Sequence, residues 1–234
     1  MSDFNHSSLP EHSGSVGTRA TLQNRVLRNT YLLLAISMVP SVLGAMVGLR
    51  MGVNNALMAS PGLTAILFLA GAFGLMFLIE RNKNSSLGVA LLLAFTFFMG
   101  LMLSRLIGFV LNFSNGPQLI MLAFGGTGAV FATMATVAST AKRDFSSMSK
   151  FLLIGAIMLI VAALGNIFLQ MPALTLTISV LAIGIFSAFL LVDLQRIIRG
   201  GETNYITATL SVYLSLYNIF SNLLMLFGIV GGDD

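Results

Sequence analysis

The chain has 234 residues, 56% of them hydrophobic and only 9% charged, with a formal net charge of +4. A soluble domain carries about 25% charged residues, so this composition excludes that class and points to a polytopic membrane protein. The absence of cysteine excludes disulfides, thiol catalysis and thiolate metal sites, and basic residues confined to short gaps between apolar runs give no nucleic-acid signal.

Residues 1–24 read MSDFNHSSLPEHSGSVGTRATLQN, rich in Ser, His, Gly and Pro with little to bury. They are expected to form a disordered cytoplasmic tail. No apolar segment follows a short basic start, so the tail is not a secretory signal. His6 and His12 stand without a further ligand cluster, and no metal or other cofactor is expected. The remainder, 25–234, is expected to be one transmembrane domain.

Seven apolar runs follow, at about 28–49, 62–80, 87–111, 118–140, 151–170, 173–194 and 207–230. Each is long enough to cross a bilayer as a helix of about 20 residues. Helix is the required state, because an open strand in lipid leaves its backbone groups unpaired. The fold class is therefore all-α, a seven-helix transmembrane bundle. The first run contains Pro40, a candidate kink. The fifth and sixth are separated by only Met171 and Pro172, a tight hairpin. Gly44, Gly48 and Gly52 repeat at small-xxx-small spacing. Gly125, Gly126, Thr127, Gly128 and Ala129 form a crowded small patch. Both suit close helix packing, within one subunit or at a dimer interface.

Lys and Arg set the orientation. With the N-terminus in the cytoplasm, the inner side receives Arg19, Arg25, Arg28, Arg81, Lys83, Lys142, Arg143, Lys150, Arg196 and Arg199, and the outer side Arg50 and Arg105. The positive-inside rule favours that arrangement, and seven crossings then place the C-terminus in the periplasm.

Polar residues inside the runs are the candidate site. Ser211, Ser215, Asn218 and Asn222 lie at i, i+4, i+7 and i+11, one face of the last helix. A polar stripe should face protein or water rather than acyl chains, which places the last helix in the centre of the bundle. The stripe is either a set of interhelical hydrogen bonds or a lining for water and ions. Asp193, near the inner end of the sixth helix, either pairs with Arg196 or serves as a proton- or cation-contacting group. Glu80, at the same side, could lie close to it, but Arg81 and Lys83 follow directly, and a solvated Glu80 ion-paired there is the preferred reading. Arg105 falls near the outer end of the third helix and is expected to snorkel to the headgroups. Asn166, Gln170, Thr175 and Thr177 form an outer polar patch. No HExxH or GxxxxGK[ST] motif is present, and both histidines sit in the tail, so no enzyme is expected.

Three segments, VLRNTYLLL at 26–34, GNIFLQMPALTLTISV at 165–180 and GGETNYITATLSVYLSLYNIF at 200–220, resemble the Bax inhibitor 1 (transmembrane Bax inhibitor motif) family, in its proteobacterial YccA-like branch. The resemblance spans about residues 25–230. Ala123, Thr127, Val130 and Phe131 are similar to part of the family signature, whereas the family's Gly-Pro in the third helix is Gly108-Phe109 here. It implies a last helix surrounded by the other six. Some members leak calcium or other cations through a pair of aspartates that shares a proton. Asp193 matches the first, and the second falls on Ser215, which cannot share a proton as a carboxylate does. The YccA-like branch implies instead an inner-membrane protein that associates with the membrane-bound AAA protease FtsH and moderates it, with the tail as handle. The missing acid and the branch of the matching segments favour this second implication.

Overall fold

The structure is a computed structural model and describes residues 13–52 and 61–232. Seven long helices, each apolar enough to cross a membrane, account for nearly all of them. They are α1 (Ser13–Arg50), α2 (Pro61–Asn82), α3 (Ser86–Val110), α4 (Gly116–Thr140), α5 (Ser149–Leu169), α6 (Pro172–Ile198) and α7 (Tyr205–Val230). This is the expected all-α, multi-pass membrane architecture. Large apolar side chains such as Phe151, Met158 and Phe168 on α5 point outward, as they must where lipid and not water surrounds the protein.

α1 starts inside the stretch expected to be tail, because a helix already nucleated extends at one hydrogen bond per residue. Residues 1–12, His6 and His12 among them, and the two C-terminal aspartates lie outside the described residues. α1 also runs unbroken through Pro40. Between α5 and α6 the chain reverses through Gln170, in the left-handed conformation at φ 51°, and Met171. Asn166 closes this hairpin: its Oδ1 accepts from Met171 N at 3.0 Å and its Nδ2 donates to Thr175 Oγ1 at 2.7 Å.

α7 is the central helix. Ile206, Val212, Ser215, Ile219 and Leu224 are all buried on it, and α1, α2, α3, α4 and α6 all pack against it. α5 does not reach α7 and packs chiefly on α6, while α2 leans on α3. The expectation of six neighbours is thus met by five.

α1 and α3 form the tightest pair. A Cβ on Gly44 would run into the Phe97 carbonyl oxygen of α3, and one on Gly100 into the Ser41 carbonyl oxygen of α1. Only glycine lets the two backbones come so near. Gly48 faces Ser104 in the same seam, but Gly52 has positive φ, touches nothing within 4 Å and belongs to the turn after α1. In the α4 patch, Gly125 and Gly128 open to the outside and only Gly126 meets α7, at Leu223. Tyr213 of α7 joins the α1–α3 seam: its hydroxyl shares a 2.8 Å hydrogen bond with Ser41 Oγ, and its ring meets Phe95 edge-on.

Candidate functional site

The helices are tied at both ends by side chains that reach backbone far away in sequence. At one end, Asn204 caps α7 by accepting from Ile206 N and Thr207 N at 2.9 and 3.2 Å. Its Nδ2 donates to Lys83 O and Asn84 Oδ1 at 2.8 and 2.9 Å, in the α2–α3 turn. At the other end, Asn115 Nδ2 donates to Gly231 O, joining the α3–α4 turn to the end of α7.

The Asn204 end also carries the last two turns of α6. Gln195 is buried there; its Oε1 accepts from Phe145 N and its Nε2 donates to Arg143 O, both at 2.8 Å. Arg199 donates to the carbonyls of Ala141, Lys142 and Arg143 at 3.0–3.1 Å. Asp144, in the same loop, accepts from Ser146 N at 2.9 Å, and this hydrogen bond holds its carboxyl below the usual range. These ties fix α6 against the α4–α5 loop and so fix where Asp193 sits.

Asp193 is half-buried and, among the described residues, has no hydrogen bond or ion pair. The charges it senses are those of Arg196 and Glu202. Glu80, exposed at the end of α2, pairs instead with Lys83, whose ammonium it holds above its ordinary value through that hydrogen bond. The structure therefore does not join Glu80 to Asp193.

The polar stripe of α7 divides into two parts. Asn218 and Asn222 turn back on their own helix, donating to Leu214 O and Asn218 O at 2.8 Å. Ser215, which is buried, and Ser211, which is half-buried, make no such bond among the described residues. Thr207, one turn earlier, has a buried Oγ without a hydrogen-bond partner among the described residues. It extends the stripe to i−4 of Ser211, and its spacing was readable in the sequence. The unbonded half of the stripe belongs to the half of α7 that starts at Asn204, on the helix that packs along α6 and its Asp193. A serine at 215 can donate and accept a hydrogen bond but does not ionise.

At the opposite end the structure opens a cavity of about 500 Å³ among α2, α3, α5, α6 and α7, with Arg105, Ser179 and Asn222 in its lining. It occupies the space that keeps α5 from α7. Arg105 is half-buried against it rather than standing free on the lipid face. Of the outer polar patch, Asn166 and Thr175 line this space, while Gln170 and Thr177 are exposed.

A family model described as "Inhibitor of apoptosis-promoting Bax1" matches residues 23–232, nearly the whole of the helical bundle. The chain belongs to the Bax inhibitor 1 family. Its similarity to individual family members covers more than nine-tenths of their length. It is 41% identical over 211 residues to a Vibrio cholerae protein described as an uncharacterized membrane protein, covering 90% of this chain and 92% of the relative. It is 40% identical over 210 residues to the Escherichia coli K12 protein named "Modulator of FtsH protease YccA", again covering 90% and 92%. A Neisseria meningitidis relative, uncharacterized, is 37% identical over 213 residues, covering 91% and 94%.

Proposed function

We propose that this Bax inhibitor 1 family protein is a non-enzymatic, multi-pass protein of the bacterial inner membrane that moderates a membrane-bound AAA protease of the FtsH type. The observation that carries the reading is the 40% identity over 90% of the chain to a relative named as a modulator of that protease. Ser215 in place of a second acid adds to it, since it removes the partner with which Asp193 would share a proton. The N-terminus is cytoplasmic in this reading, because the end bearing Asn204, Arg199 and the α4–α5 loop gathers most of the cations. Residues 1–24 then lie on the side where a cytoplasmic AAA ring can grip a polar chain.

The test is the half-life of the full chain and of a form lacking residues 1–24, in cells with and without the protease, together with co-purification. Protease-dependent turnover that slows several-fold in the truncated form, with the full chain captured on the protease, is the expected result. Failure to co-purify, with equal half-lives in both strains, would sink the reading.

A second reading, a pH-sensitive leak for calcium or other cations, is favoured by three polar side chains on the packed helices α6 and α7, Asp193, Ser211 and Ser215, that make no hydrogen bond among the described residues. It predicts ion flux into liposomes at pH 6 and pH 8 that Asp193→Asn alters. Absence of flux from folded, inserted protein at both pH values would remove it.

A further inference from the structure

Arg105 stands nineteen residues beyond the start of α3 at Ser86, about 28 Å along the axis. That places its guanidinium near the hydrocarbon boundary opposite the Asp193 end. Among the described residues it has no hydrogen bond and no ion pair. The described carboxylates, Glu80, Asp144, Asp193 and Glu202, all lie toward the other end, near the two last turns of α6 and the start of α7. A guanidinium at such a depth calls for an anion. The protein holds it against a cavity, and the described residues supply none.

The cavity is shaped for more than an ion. Its walls are chiefly apolar, with Phe68 and Leu69 from α2 facing Ile160, Leu164 and Ile167 from α5. These two helices barely touch. A second space of about 210 Å³ adjoins the first at Arg105 and Phe68 and brings in Tyr217. The hydroxyls of Ser179 and Tyr217 have no hydrogen-bond partner among the described residues. Arg105 thus lines both adjoining spaces, one with the unused Ser179 hydroxyl and a long apolar wall, the other with the unused Tyr217 hydroxyl.

We propose that this cavity seats an anionic phospholipid, with the headgroup phosphate on Arg105 and an acyl chain along the wall between α2 and α5. A bare inorganic anion would satisfy the guanidinium but leave the apolar wall uncovered, whereas a lipid answers both. A zwitterionic headgroup would bring an ammonium to a region where no described carboxylate can receive it. A headgroup that is net negative and carries hydroxyls meets Ser179 and Tyr217 instead. Asn166 and Thr175 at the rim are already bonded to one another and to Met171, so they shape the rim rather than supply free donors.

The experiment is native mass spectrometry of the full chain released from nanodiscs of equal phosphatidylglycerol and phosphatidylcholine. The wild-type protein should keep the glycerol lipid over the choline lipid by about tenfold, the scale of one charge-assisted contact. Arg105→Gln should abolish that preference, and Arg105→Lys should weaken it. Ala163→Phe leaves Arg105 in place but puts a ring at the cavity wall, so it should also lose the lipid; it serves if Arg105→Gln does not fold. Arg50→Gln, at the end of α1 and outside the lining of either space, should change nothing. Equal retention of both lipids by the wild type, or a preference that survives Arg105→Gln or Ala163→Phe, overturns the proposal. Arg105-dependent binding of inorganic phosphate to delipidated protein, with no lipid preference, also overturns it and leaves a free anion as the ligand.

Discussion

Asn204 offers the sharpest test of how the Asp193 end is held. Its side chain makes two acceptor contacts to the first turn of α7 and two donor contacts to the α2–α3 turn. Replacing an Asn N-cap by Ala costs about 1 kcal/mol, and each lost donor bond adds about 0.5–1.5 kcal/mol net. Asn204→Ala should therefore destabilise by roughly 2–3 kcal/mol once partial solvation of the turn is allowed for. Asn204→Asp separates the two roles. Its carboxylate still caps, and favours the helix N-terminus, but it has no N–H to give to Lys83 O or Asn84 Oδ1. That variant should lose about 1–2 kcal/mol, the donor part alone. Reversible unfolding in mixed micelles, followed by the far-ultraviolet helix signal, reads both. An Asn204→Ala protein within about 0.5 kcal/mol of wild type, or an Asp variant as weak as the Ala one, would refute the account of the tie.

Two other outcomes follow from the packing and the loop charges. Gly44→Ala, where a Cβ meets the Phe97 carbonyl, should cost about 1–3 kcal/mol by prising α1 from α3; Gly125→Ala, with nothing within 4 Å, should be neutral or stabilise by up to about 1 kcal/mol, and the same micelle titration compares them. Asp144 has a folded pKa below its unfolded one because Ser146 N–H binds the charged form. Its contribution is then complete above the unfolded value and fades as pH falls through the folded one. Asp144→Ala should be slightly less stable than wild type at pH 6, and the gap should close below about pH 4; a gap that stays constant or widens in acid would contradict the assignment.

Much of the bundle was legible in one dimension. Lipid demands about 20 apolar residues per crossing, so run length alone located seven helices. Their ends in the structure, such as Val110 and Thr140, fall close to the expected ones. The spacing of Ser211, Ser215, Asn218 and Asn222 placed α7 in the interior, since lipid excludes a polar stripe from the outside. Two of these glycines make no contact within the bundle, for a common reason. Gly52 shares the spacing of Gly44 and Gly48 but lies past the end of the helix, and Gly128 shares the composition of a contact patch but faces outward. Spacing fixes a face, and only the neighbouring helix decides whether that face is used.

Composition and periodicity, then, determined the class of this protein, its crossings and its central helix, because those follow from the local match between side chains and solvent. The tertiary structure alone decided that Asn204 grips Lys83, that Gln195 and Arg199 hold the α4–α5 loop, and that Arg105 faces a cavity. Each of these joins groups distant along the chain or aims a long side chain at one of several faces. Such choices depend on which helices end up side by side, and a single run of residues carries no record of its neighbours.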